Sequence, residues 1–221
     1  MQGTPAPMAN TNAPFGLRFI GLQGGGVANA SNQERRNGIL STNTTAIYTG
    51  DLIKMQSTGY LAQWTATTAV SQCWGVFAGC RYSSSSQQTI VPQKYWPGTD
   101  AASGTVLAQY IPAALSSPPL FVIQTDSTGI DNSAIGANAD IVVGTGATTS
   151  GFSGSYLDVS TLATTATLPL RIIDLWANWV MSSASGGSEG AGSGSALVPG
   201  TQSGAYNWAV VVINTTGSTG I

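Results

Sequence analysis

Trp74-Gly75-Val76-Phe77-Ala78-Gly79-Cys80-Arg81-Tyr82 is the stretch on which the fold turns. Aromatic and aliphatic residues run through it without the i, i+3, i+4, i+7 spacing of a helix, so it reads as a strand. Gly75 and Gly79 suit sharp bends within that strand, as at the corners of a small barrel. Of the only two cysteines, Cys73 precedes it and Cys80 lies within it, at an odd spacing. Along a strand that spacing puts them on opposite faces, so a bond between them is not expected. They read as ordinary thiols packing like small hydrophobes.

The same texture extends on both sides. Upstream, Ile47 to Lys54 reads as one strand with a bulge at Gly50, Ser57-Thr58-Gly59 as a turn, and Tyr60 to Trp64 as the return of a hairpin. Downstream, Ser83 to Gln88 is a polar loop, and Ile90-Val91 and Lys94-Tyr95-Trp96 are short strands punctuated by Pro92 and Pro97. Val106 to Ile111, Leu120 to Gln124, Leu168 to Leu175 and Trp208 to Asn214 complete the set. No segment carries a helical apolar stripe over three turns, so the class is all-β, a small β-barrel or a β-sandwich.

Two segments stand apart. Residues 1–38 hold Pro5, Pro7, Pro14 and the Gly24-Gly25-Gly26 run, together with three of the five arginines. They are expected to form an extended N-terminal arm, with 39–221 as a single all-β domain. Within the arm, Phe15, Leu17, Arg18, Phe19 and Ile20 alternate well enough to dock as a strand on a neighbouring molecule. Arg35 and Arg36 add positive charge for contact with acidic groups. Residues 182–204 are rich in Gly and Ser and read as a loop between two strong strands, since such composition cannot offset its own ordering entropy.

Composition narrows the function. Only 7 % of the 221 residues are charged, against roughly 25 % in an ordinary globular protein. Hydroxyls, amides and backbone must cover the surface, which suits a subunit built into an assembly better than a free cytosolic protein. The net charge of −2 and the two lysines, Lys54 and Lys94, give no basic patch for nucleic acid. No run of 18 apolar residues exists for a transmembrane helix. Met1 to Pro14 lacks the basic and apolar regions of a secretory signal.

Catalytic chemistry finds little to work with. The chain has no histidine, hence not the commonest general base or transition-metal ligand. Gly186-Gly187-Ser188-Glu189-Gly190 matches G-x-S-x-G, but a nucleophile elbow needs a strand before it, a helix after it and a histidine. The carboxylates are scattered, with no spacing that suggests a catalytic dyad. Asp126, Asp131 and Asp140 with Asn132 or Asn138 do not follow a calcium-loop spacing and read as polar turn residues. Neither an enzymatic activity nor a cofactor or metal is expected. The six tryptophans, Trp64, Trp74, Trp96, Trp176, Trp179 and Trp208, lie mostly in strand patterns, where core or subunit interface is the default. A carbohydrate platform is the alternative use for them.

Thr49-Gly50-Asp51-Leu52-Ile53-Lys54, Cys73-Trp74-Gly75-Val76-Phe77-Ala78-Gly79 and Lys94-Tyr95-Trp96-Pro97 follow one another as in a family of tailed-bacteriophage virion proteins. Phe121 to Asp126, Ile135 to Asp140 and Ser155 to Asp158 continue the likeness, which spans about Ala46 to Asn214. The chain thus resembles capsid decoration, or cement, proteins, and departs from them in the loop at 182–204. The resemblance carries no catalytic residue. It implies a structural protein on the outer surface of an icosahedral head, a homotrimer that cross-links major capsid proteins. A spike, fibre or minor head protein binding host carbohydrate is the alternative.

Overall fold

In a computed structural model, residues 10–23, 35–66, 70–113, 117–176 and 204–214 are described. The decisive stretch is the long strand β6 (Cys73–Ser83). Its first part pairs with β4 (Leu52–Met55) and its last part with β7 (Ile90–Gln93), both antiparallel. Along its other edge runs β9 (Leu107–Pro112). The register on β9 slips between Phe77 and Gly79, and Gly79 has φ +145°, so this glycine supplies the bend. Gly75 serves close approach instead: a β-carbon there would lie 2.1 Å from the Ile111 carbonyl oxygen. With β2 (Arg35–Gly38) beyond β9 and β5 (Leu61–Gln63) beyond β4, these strands form one sheet.

The other large sheet has six strands in the order β1 (Arg18–Leu22), β10 (Pro119–Gln124), β14 (Trp208–Ile213), β13 (Leu170–Leu175), β11 (Asn138–Val142) and β12 (Tyr156–Ala163). A short pair, β3 (Ile47–Tyr48) with β8 (Tyr95–Trp96), forms a third sheet. The pairs are antiparallel and none of the three sheets closes into a barrel. The chain is all-β and sandwich-like.

Burial follows from the strand period of two. Phe121, Ile123, Val211, Ile172, Ile141 and Leu157 of the six-stranded sheet pack against Leu52, Cys73, Val76 and Ile111 of the other. The far face of the β6 sheet holds a second cluster with Phe77, Cys80, Tyr82 and Trp96. Cys73 and Cys80 thus enter different clusters, as their odd spacing requires. Alternate residues Val210 and Val212 enter a third cluster with Leu120, Ile20 and Trp176, so β14 is buried on both faces. That explains its unbroken apolar run, Val210-Val211-Val212-Ile213.

Two expectations change. Ile47 to Lys54 is two strands, because the chain turns a corner at Gly50 (φ +98°) and Asp51 and so changes sheets. The hairpin that follows is as expected, with Gly59 at φ +80° and its N–H on the Gln56 carbonyl. The larger correction concerns the arm. Where it is described, the segment 1–38 pairs inside the domain: β1 lies on β10 and β2 on β9. Leu17 is 2 % exposed and its N–H donates to the Gly50 carbonyl, while Gly16 N–H reaches Ser155. The alternation expected to dock on a neighbour covers this protein's own core edge. Phe19 meets Phe121 edge-on, with ring centroids 6.0 Å apart. Pro14 stands before β1 and does not interrupt it. The Gly24-Gly25-Gly26 run and most of the loop at 182–204, Ser188 included, lie outside the described residues.

Candidate functional site

The corner that ends β3 builds the most connected polar site. Asp51 is 1 % exposed, and its carboxylate accepts four hydrogen bonds. Tyr48 N–H (2.8 Å) and the Gln63 side-chain amide (2.9 Å) bind one oxygen. The Ser153 (2.5 Å) and Ser155 (3.2 Å) hydroxyls bind the other. Burial pushes this carboxyl above the ordinary aspartate value, and the four donors oppose the shift. The donors come from β3 of the two-stranded sheet, from β5 of the β6 sheet and from the 143–155 segment, so the carboxylate ties those two sheets to that segment. All four of these donors are groups of this chain's own framework.

That segment, Gly144 to Ser155, also shapes the surface above. Phe152 projects from it beside Arg18 of β1, whose guanidinium carbon lies 4.2 Å from the Phe152 ring centroid and 5.2 Å from that of Phe15. Lys94 brings its ammonium to 5.3 Å from the same Phe152 ring. An open cleft of about 520 Å³ runs here between Phe15, Arg18, Thr145, Ser150, Phe152 and Gly154. Partial burial lowers the Arg18 pKa. Among the described residues, no carboxylate or hydrogen-bond acceptor engages either cation.

A second, smaller cleft of about 160 Å³ lies between Asn12, Thr125, Asp126, Ser127, Tyr156 and Tyr206. Tyr206 holds φ +59°, a conformation uncommon for a non-glycine residue. Asp126 is partly occupied, accepting from the N–H groups of Thr128 and Val159. Asp131 caps a short 3₁₀ turn through Ser133, and Asp140 accepts from Ile141 N–H. Among the described residues, no three such side chains converge on a metal-sized site.

The residues expected to make contacts divide sharply. Leu17 is buried, and Phe15, Phe19 and Ile20 are half-buried against this chain's own strands, so these apolar anchors are committed internally. Arg18 and Arg36 remain on the surface. Nothing is described of the Arg35 side chain beyond its place on β2. Of the tryptophans, Trp64 and Trp96 are core, whereas Trp74 is 40 % exposed with its indole N–H on the Tyr110 hydroxyl. The five described tryptophans form no common platform, although Trp176 and Trp208 lie 6.2 Å apart with tilted rings, and Trp179 lies outside the described residues.

Sequence reasoning missed Phe152 and the pairing of Lys94 with Arg18. The one available signal was a lone phenylalanine inside a Gly/Ser/Thr-rich segment, where apolar cores do not explain it. Among the described residues no helix is long and apolar enough to cross a membrane. Compared with protein-family models, curated proteins and solved structures, the chain matches none.

Proposed function

We propose that this protein is a structural component of a virion, decorating the outside of an icosahedral bacteriophage head and cross-linking its major capsid proteins, as a homotrimer. The observation that carries the reading is the charge-poor surface: 7 % charged residues on a 221-residue all-β chain. A freely diffusing protein with so little charge is poorly protected against self-association. A subunit seated on a shell turns the same surface into contact area. The buried acid supports a structural role, since Asp51 is spent on joining segments. Exposed apolar side chains at Trp74, Ile90 and Tyr60 supply contact points that scattered charges cannot. A subunit that binds the assembled shell and not its separated parts stabilises the shell by mass action.

The motif order shared with decoration proteins supports the same reading. The test is co-sedimentation of the purified protein with heads lacking it. Saturable binding at a fixed number of copies per head is expected, and heads that sediment without the protein would overturn it.

One observation favours the alternative, a surface spike or fibre that binds host carbohydrate. The cleft between Tyr156 and Tyr206 is about 160 Å³, near the size of one sugar ring, and has polar groups at its edge. Binding to a glycan array abolished by Tyr206→Ala would favour it.

A further inference from the structure

We propose that the cleft between Arg18, Phe15 and Phe152 receives an acidic side chain, Glu or Asp, from a partner protein. This deepens the decoration reading and rests on it, with the capsid protein as that partner. The chain carries 7 basic and 9 acidic residues, and two of the basic ones meet at a single ring. Lateral contact with Phe152 fixes the Arg18 guanidinium without consuming its N–H donors. Among the described residues no acid lines the cleft; Asp51 lies one hydroxyl deeper, behind Ser153, and its oxygens already accept from Ser153, Ser155, Tyr48 and Gln63. The cleft therefore presents a planar, five-donor cation with no counter-ion among the described residues, and Lys94 brings a second positive charge to the same Phe152 ring.

Carboxylate is the anion that fits. It is planar and takes two parallel N–H bonds from one guanidinium, and unlike free phosphate it comes on a carbon stem that the aromatic walls can cover. The aromatic walls suit the methylene stem of Glu or Asp, and the open cleft of about 520 Å³ admits a loop of backbone. Thr145 and Ser150 line the same cleft and give that backbone hydroxyl partners. The 143–155 segment is anchored from below by the Asp51 bonds and by Gly151 N–H on the Ala147 carbonyl, so the site is preformed.

The test has two independent arms. First, a blocked peptide Gly-Glu-Gly-Glu-Gly is titrated into labelled protein while the Arg18 Nε–H resonance is followed. Saturable shifts are expected, with none from the Gln-for-Glu peptide and none in Arg18→Gln. Absence of shifts in the wild type, or tighter saturation by inorganic phosphate than by the peptide, would overturn the proposal. Second, affinity for heads should fall about 10-fold in Arg18→Gln, less in Arg18→Lys, and the wild-type affinity should weaken with salt. Wild-type binding that Arg18→Gln leaves intact would overturn the cleft while sparing the decoration reading. Heads that bind no wild-type protein would remove the decoration reading and with it the named partner, and the peptide arm alone would then decide the chemistry. Thermal melts of both variants confirm folding, and Lys94→Gln, at the same Phe152 ring but outside β1, gives a second, smaller loss of affinity without touching the β1–β10 ladder.

Discussion

Replacing Asp51 with Ala tests whether the carboxylate is the clamp between the sheets and the 143–155 segment. Four donors lose their acceptor. The two serine hydroxyls can rotate toward other acceptors. Tyr48 N–H and the Gln63 amide sit in a site where the carboxylate is 1 % exposed. A buried donor left unsatisfied costs about 1–3 kcal/mol, so stranding the buried Tyr48 N–H and the part-buried Gln63 amide costs about 2–4 kcal/mol. For a chain of this size that corresponds to a fall in Tm of about 4–16 °C. Asp51→Asn should cost far less, because its amide oxygen can still accept from the two N–H groups while its NH₂ donates to the serine hydroxyls. The pH dependence has a definite sign. A carboxyl raised on folding binds its proton more tightly in the native state, so stability falls as pH rises from the ordinary aspartate value through the raised one. Asp51→Asn should remove that fall. Calorimetric melts from pH 3 to 8 give both answers. An Ala variant within 2 °C of the wild type at neutral pH (about 0.5–1 kcal/mol by the same conversion), or an Asn variant as damaged as Ala, would refute the reasoning.

Three further outcomes follow from the packing. Removing residues 1–22 should lower Tm by more than 10 °C, since Leu17 and the partly buried Phe19 and Ile20 leave β10 uncovered at about 1.5–3 kcal/mol for a fully buried side chain; an unchanged melt would restore the free arm. Gly75→Ala should destabilise by about 2–3 kcal/mol in chemical denaturation, because the new methyl meets the Ile111 carbonyl and must push β6 from β9. Cys73 and Cys80, their thiols pushed up to about 12 by burial, should react with an aromatic disulfide reagent at pH 8 only after unfolding, and rapid native labelling would contradict their placement.

The strands legible in the sequence were those with dense apolar runs, such as β10, β13 and β14, and the hairpin marked by Thr58-Gly59. β11 and β12 were harder: Asn138-Ala139-Asp140 and Asp158-Val159-Ser160 carry polar residues whose side chains satisfy local backbone, as Asp158 does for Ser160 N–H. Composition misled at the N-terminus. Proline and glycine flank Phe15 to Leu22, yet what decides that segment is the open edge of β10, about a hundred residues away, which no local pattern reveals. The cleft was half legible. Arg18 stood out as a rare charge, but its companions Phe152 and Lys94 meet it only through pairings between distant segments, including the Thr49 to Phe152 bridge.

A density map of the virion with this protein present, compared with one of particles lacking it, bears most directly on the decoration role. Extra trimeric density is expected on the outer face of the shell at regular positions, into which the sandwich-like fold fits with its Arg18 cleft toward the capsid protein. Identical shells in the two maps, with the added density confined to the tail or a fibre, would contradict it.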